Sequence, residues 1–386
     1  MGAVPLLTIP PRWPIAGFYA CYFAVVGVWI PYWPLHLTQL GLGATTIGLL
    51  MAMTQWIRIP APPLWGALAD RKSRRGVVLF TCLGALVSFC LFFLDDRLGW
   101  ILAVTVLYSI FHTGPLSLAD ATAMELAMTH QWDYGRLRLW GSWGFVLCSF
   151  GVGPLSDLWG LEIVPVIIAL LLAATLLCAF WMPGVPVPRG APVTMRTLFA
   201  QADVRWFYFS AMMMQFSHGG YYGFMSLHLQ HHGFTRTAIG LLWSVGVVAE
   251  VLLMSRSRTL LARFGVSWLL TFSLAMAALR WSLYAWTTAW LPLLFAQLLH
   301  AFTFGAFHVA SVRRVHDLAP VQARGTAQGW LAALSYGVGG GISMALSGTL
   351  LDRFGHEAMF ALLACAAAIG ALASWRAHFL LSCPRG

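Results

Sequence analysis

The sequence predicts an all-α integral membrane protein, with twelve transmembrane helices in two pseudo-symmetric six-helix bundles. Three observations predict this: the composition, the spacing of apolar runs and an internal repeat. Hydrophobic residues make up 59% of the 386, only 9% are charged, and the mean hydropathy is +0.75. A soluble domain is typically about half apolar and about a quarter charged. A membrane-spanning helix needs about 20 consecutive, mostly apolar residues. Runs of that kind fall at 14–35, 44–69, 76–94, 99–127, 136–160, 162–182, 203–229, 236–260, 266–286, 289–316, 322–351 and 356–380.

Each run has its own local character. The first has no small-residue cleavage site before its apolar sequence continues, so it reads as a helix and not as a leader. Pro60, Pro62 and Pro63 interrupt the second, which carries Arg58 and ends on the basic stretch Gly66 to Arg75. The fourth contains Pro115, Asp120 and Glu125, and the fifth opens on Arg138. After the sixth comes a Pro-rich segment at 183–192, which divides the chain into bundles 1–184 and 203–386 with a cytoplasmic linker at 185–202. Glu250 lies in the eighth run, Arg280 in the ninth, His300 and His308 in the tenth, and Gly337, Gly339, Gly340 and Gly341 in the eleventh. Proline and glycine breaks suit helices that line a cavity, whereas glycine alone also serves close helix packing. The sequence leaves both readings open for the eleventh run.

The repeat is specific. A shift of 192 residues superposes Leu35-His36-Leu37 on Leu227-His228-Leu229, Gly41 on Gly233, Thr45 on Thr237, and Ile47–Leu50 on Ile239–Leu242. A shift of 195 carries Gly153, Leu155, Asp157 and Gly160 onto Gly348, Leu350, Asp352 and Gly355. Parallel six-span repeats mark proteins that rock one half against the other around a midplane site.

Charge gives the orientation and excludes other classes. Of the 23 Lys and Arg, only Arg97, Arg236 and Arg353 fall on the face opposite Arg71–Arg75, while Arg58, Arg138 and Arg280 lie within helices. The remainder share a side with both termini, which places the termini in the cytoplasm. The net charge of +10 therefore reflects topology and contact with anionic lipid, and nucleic-acid binding is a poor reading. The seven Cys lack C-x-x-C spacing and read as small buried hydrophobes. No H-E-x-x-H, Walker loop or G-x-S-x-G elbow is present, so no metal, cofactor or enzymatic role is expected.

Ionisable groups within apolar helices need a partner or a wet cavity. Arg58 precedes Asp70 by twelve residues, about 18 Å of helix, and cannot reach the interface. The 192-residue shift carries position 58 onto 250, so Arg58 and Glu250 are pseudo-equivalent sites of opposite sign. Either they face a central cleft or each belongs to an ion pair within its own half. Asp120 and Arg138 are placed to pair across consecutive helices, and that pair could open to take a substrate carboxylate. Glu125, further round the helix, reads as interfacial, and Arg138 has a cytoplasmic gate role as its rival reading. His112, His218, His300 and His308 read as buried hydrogen-bonding residues, with His300 suited to proton exchange. Trp13, Trp29, Trp33, Trp100, Trp159 and Trp181 read as interfacial anchors.

The stretch Gly66-Ala67-Leu68-Ala69-Asp70-Arg71-Lys72-Ser73-Arg74-Arg75 resembles the signature between the second and third helices of major facilitator superfamily transporters, with Ser73 in place of the usual Gly. Asp133-Tyr134-Gly135-Arg136-x-Arg138-x-x-Gly141 resembles the lactose permease branch. Asp120 then falls where that branch binds sugar, and Glu250, Arg280 and His300 fall at positions used in binding and proton coupling. Two departures weaken a sugar reading: Thr303 replaces a proton-carrying glutamate, and Phe145 replaces a sugar-stacking Trp. Asp133–Ser142, Tyr221–Phe224 and Leu242–Val251 resemble the phenylpropionate permease family more closely, along essentially all twelve helices.

The resemblance implies the major facilitator fold and a monomeric transporter in the bacterial inner membrane. It implies import of a small aromatic carboxylate together with a proton. Substrate binding is expected at Arg138, Asp120, Phe145, Tyr221, Tyr222, Arg58 and Arg280, and proton coupling at Glu250, Asp120 or His300. A cytoplasmic gate is expected at Gly66, Asp70, Arg71, Arg74 and Arg75. A sugar or nucleoside symporter and a drug exporter of the same fold are the alternatives.

Overall fold

Apolar sequence with few strand signals folds into helices throughout. The computed structural model describes residues 12–184, 196–320 and 323–382, with no strand among the described residues. In order these are α1 (Arg12–Gln39), α2 (Ala44–Ile57), α3 (Ala61–Arg71), α4 (Arg74–Cys90), α5 (Leu98–His112), α6 (Gly114–His130), α7 (Tyr134–Trp159), α8 (Ile163–Phe180), α9 (Arg196–Phe199), α10 (Ala202–His231), α11 (Arg236–Met254), α12 (Ser257–Phe264), α13 (Val266–Trp286), α14 (Trp290–Leu298), α15 (Phe307–Leu318), α16 (Arg324–Ala332) and α17 (Gly341–Ser382). π-helical turns at Ala301–Ala306 and Ala333–Gly340 join α14 to α15 and α16 to α17. Of the expected linker, 185–195 lie outside the described residues and 196–199 form α9.

Eight helical stretches among the described residues are long and apolar enough to cross a membrane. Three expected spans fall short, for a local reason. The second is broken between α2 and α3, and α7 and α10 are diluted by polar residues such as Arg138, Ser142, Gln215 and His218. The outer surface is apolar: Leu147, Leu170, Leu252 and Leu372 are each about two-thirds exposed, a surface suited to lipid.

The expected breaks occur where the prolines stand. α2 ends at Ile57 before Pro60, and α5 gives way to α6 at Thr113, just before Pro115. In the eleventh expected span the glycines serve both purposes that the sequence left open. They form the π-turn, and a Cβ at Gly341 would collide with the Trp56 indole.

The repeat reappears in the backbone. Gly41 and Gly233 adopt φ of +83° and +81°, and Gly160 and Gly355 adopt +82° and +86°, values that glycine alone reaches without strain. Asp157 and Asp352 explain the second echo. Asp157, near the end of α7, accepts bonds from the amides of Arg236 (3.0 Å) and Thr237 (2.9 Å) and from the Thr237 hydroxyl (2.7 Å). Asp352 does the same for Ala44 (3.2 Å), Thr45 (2.7 Å) and the Thr45 hydroxyl (2.5 Å). Each carboxylate thus caps the positive N-terminus of a helix from the opposite half of the chain. The Arg236 guanidinium also donates to the Ser156 carbonyl at 2.7 Å, and the bonds Ser149–Gly240 and Ser244–Val146 join the halves as well. They close one end of the molecule, and none joins the halves at the Arg71–Arg75 end.

Candidate functional site

The helix breaks and the cross-half contacts leave a cavity of about 280 Å³ between the first and second halves of the chain. This sits at the small end of the roughly 300–1,000 Å³ typical of small-molecule sites. Its lining is rich in aromatic residues, including Trp29, Tyr108, Phe145, Tyr222, Trp243 and Tyr336, and Arg58, Arg138, Glu250 and His300 also face it.

The wall from the second half is a closed polar network. Glu250, on α11, places Oε2 3.5 Å from Nε2 of His300. Arg280, on α13, reaches Nδ1 of His300 at 2.9 Å, Oγ1 of Thr303 at 3.1 Å and Oε1 of Gln297 at 3.0 Å. A guanidinium only donates, so Nδ1 of His300 is the acceptor; its hydrogen is then on Nε2, facing Glu250. The Arg280 guanidinium lies over the rings of Tyr221 (4.3 Å) and Trp281 (4.5 Å), and the Tyr221 hydroxyl donates to Gln297 at 3.1 Å. The missing side chain of Gly246 makes room for this network, since a Cβ there would sit 2.9 Å from Oε1 of Gln297.

On the first half, Asp120 accepts from the hydroxyls of Tyr19 (2.6 Å) and Tyr134 (3.0 Å), and Nε of Arg138 lies 3.7 Å from the same oxygen. That separation is an ion pair without a formed hydrogen bond. The Arg138 guanidinium rests over Phe23 at 4.0 Å. Arg58 is the C-cap of α2, where the negative end of the helix dipole favours a cation, and no carboxylate lies within ion-pair range of it among the described residues.

The structure therefore brings Asp120 to Arg138 and Glu250 to His300 and Arg280, and it sets Arg58, Arg138, Phe145, Tyr222, Glu250 and His300 on the cavity. Two expectations need correction. Arg280 and Tyr221, at 0% and 1% exposed, are buried behind the wall and do not line it, because the terminal nitrogens of Arg280 are turned to His300, Thr303 and Gln297 and its guanidinium lies against two rings. Asp120 is not among the lining residues either, although its partner Arg138 is. The expected interfacial tryptophans Trp29 and Trp33 are another correction. They stack at 4.8 Å and are 9% and 2% exposed, because α1 runs on to Gln39 and places them well inside the helix. At the gate stretch, Arg74 is buried and pairs with Glu125 at 3.2 Å, and Arg75 donates to the Phe180 carbonyl at 2.6 Å. Gly66 lies on α3, and Asp70 and Arg71 are exposed at its end. Gln55, His112 and Tyr336 line the cavity without having been singled out as site residues; the nearby proline breaks were the only sequence signal.

A lipid-facing helical bundle that encloses a polar, aromatic-lined central cavity defines a membrane transporter. The MFS_1 like family pattern matches residues 12–362, and the chain belongs to that family. It is 30% identical over 315 residues to the "Probable 3-phenylpropionic acid transporter" of Escherichia coli (strain K12), covering 79% of this chain and 82% of that one. It is 26% identical over 368 residues to the maltose permease of Geobacillus stearothermophilus, covering 92% and 91%. The solved structure of the nucleoside transporter NupG superposes with a TM-score of 0.84 at 17% identity, covering 96% of this chain and 99% of that one. These relatives are transporters, not enzymes.

Proposed function

We propose that the protein is a proton-coupled symporter that imports a small aromatic carboxylate, such as 3-phenylpropionate, by alternating access. In this reading twelve helices form bundles at 1–184 and 203–386, joined by a cytoplasmic linker at 185–202. The termini are cytoplasmic, the protein sits as a monomer in the bacterial inner membrane, and its partners are substrate, protons and lipid. The end closed by Asp157 and Asp352 faces outward, and the cavity opens towards the Arg71–Arg75 side.

The observation that carries the reading is one cavity with Glu250 held by His300 on one wall and cationic Arg58 and Arg138 on the other. Glu250 is the proton carrier. His300 cannot take a second proton while Arg280 donates to its Nδ1, so it positions the carboxylate. Protonation neutralises Glu250 and weakens its hold on His300, and the substrate anion balances the proton's charge, so a cycle carrying both moves no net charge. The Asp120–Arg138 pair, already long, is free to loosen during the motion. The cavity of about 280 Å³ suits a single ring better than a disaccharide. The 30% identity to a relative named for 3-phenylpropionic acid supports the same class.

The test is uptake of labelled 3-phenylpropionate into proteoliposomes. Wild-type uptake should rise with an inward proton gradient, and Glu250→Gln should lose that rise. Uptake indifferent to the gradient, driven outward by it, or displaced by maltose or uridine would overturn this function.

A further inference from the structure

On the second-half wall Arg280 ties His300, Thr303 and Gln297 into one network, with its Nε left unpaired, whereas the first-half wall has no such network at its helix breaks. α2 breaks after 14 residues, at Arg58, and α5 after 15, at His112. Both helices start from the same end of the bundle, so the two breaks lie at matching depth. The break in α5 releases backbone carbonyls, and side chains occupy two of them. The Trp65 indole donates to the Ile110 carbonyl at 2.7 Å, and the Tyr22 hydroxyl donates to the His112 carbonyl at 3.0 Å. The half-helices that follow, α3 of 11 residues and α6 of 17, start at these breaks and direct the positive ends of their dipoles towards them.

Three polar side chains at the breaks have no counterpart. Arg58 has no carboxylate partner among the described residues. His112 is 8% exposed and clamped between Tyr22 (4.7 Å, 8° between planes) and Tyr108 (4.9 Å, 27°), and its Nε2 is buried with no hydrogen-bond partner. Gln55, one turn before Arg58, likewise has a buried Oε1 without a partner. Its amide is equally able to turn its NH₂ outward. All three line the cavity. Unpaired polar atoms in a buried wall are costly and rare, and two of them beside an exposed arginine without a carboxylate partner indicate a missing ligand. A guanidinium, a stacked imidazole and an amide beside two positive helix ends suit a planar anion.

We propose that Arg58, His112 and Gln55 form the carboxylate subsite of the cavity, with the substrate ring directed away from the breaks towards Phe145 and Tyr222. This rests on the reading of the substrate as an aromatic acid, and it assigns the anion to Arg58 instead of to the paired Arg138 or the buried Arg280. The stack on both faces of His112 fixes the ring before substrate arrives, so little ordering remains at binding.

Binding of 3-phenylpropionate and of its neutral analogue 3-phenyl-1-propanol to the purified full-length protein tests this. Loss of a charge-assisted contact should weaken acid binding about tenfold or more in Arg58→Gln, with a smaller loss in Arg58→Lys. His112→Phe keeps the stack and removes the nitrogens, and should also weaken acid binding. Binding of the alcohol should stay within about twofold in all three variants, which also shows that they are folded. If the acid binds all three variants as tightly as wild type, or if acid and alcohol weaken in parallel, the subsite is wrong while the carboxylate function stands. If wild type binds no aromatic acid, the function itself falls.

Discussion

The two walls of the cavity place arginine in opposite settings. Arg280 is fully buried, donates to three acceptors and lies against two aromatic rings. Arg58 sits at a helix break, faces the cavity and has no carboxylate partner among the described residues. A charge engaged by several buried acceptors holds a structure together, and a charge without a partner on a cavity is available to a ligand. One wall is therefore built as a rigid frame, which the proposed function uses to hold the proton carrier, and the other as an open surface. The contrast also separates two charges that the internal repeat relates, since Glu250 is the positional counterpart of Arg58. Duplication preserved depth and placement, and the partners on each wall diverged.

The comparison is most easily broken at Arg280. Replacing it with Met leaves His300, Gln297 and Thr303 short of a donor. The expected loss is about 1–3 kcal/mol for each acceptor left unpaired, read as a large drop in thermal unfolding temperature in detergent. A drop no larger than that of a surface variant would refute the frame. Next in size are the two capping carboxylates. Each N-cap contributes about 1 kcal/mol, so Asp157→Ala with Asp352→Ala should favour opening of the sealed end by about 30-fold. Spin labels at Trp159→Cys and Arg353→Cys, in a background cleared of native cysteines, should then report longer distances. The smallest expected effect is the most pointed. Arg58→Met should change stability by less than about 0.5 kcal/mol or raise it, because it removes a charge with no partner. A loss as large as that of Arg280→Met would show that Arg58 is structural and erase the distinction between the walls.

Much of this arrangement could be read in the chain. The proline clusters at 60–63 and at 115 marked both helix breaks, and the L-H-L and Asp/Gly echoes marked the positions where the structure uses positive-φ glycines and cross-half caps. Asp120–Arg138 was visible because consecutive helices are packed neighbours. Trp29 and Trp33 were misjudged because a hydropathy run locates a helix end only to within a turn or so. Arg280 and Tyr221 were misplaced because helix phase sets a side chain's direction but not the depth of protein in front of it. His112 had no sequence signal of its own, since a lone His in an apolar run looks the same whether or not its nitrogens have partners.

By itself the sequence determined a helical, membrane-embedded, duplicated chain with charges buried at particular depths. Those properties depend on local quantities: hydropathy along a run, residues per turn and repeat spacing. Only the tertiary structure decided which charges neutralise one another and which remain available. Neutralisation depends on distances of a few ångströms between residues such as Asp352 and Thr45, more than 300 positions apart, and packing alone sets such distances.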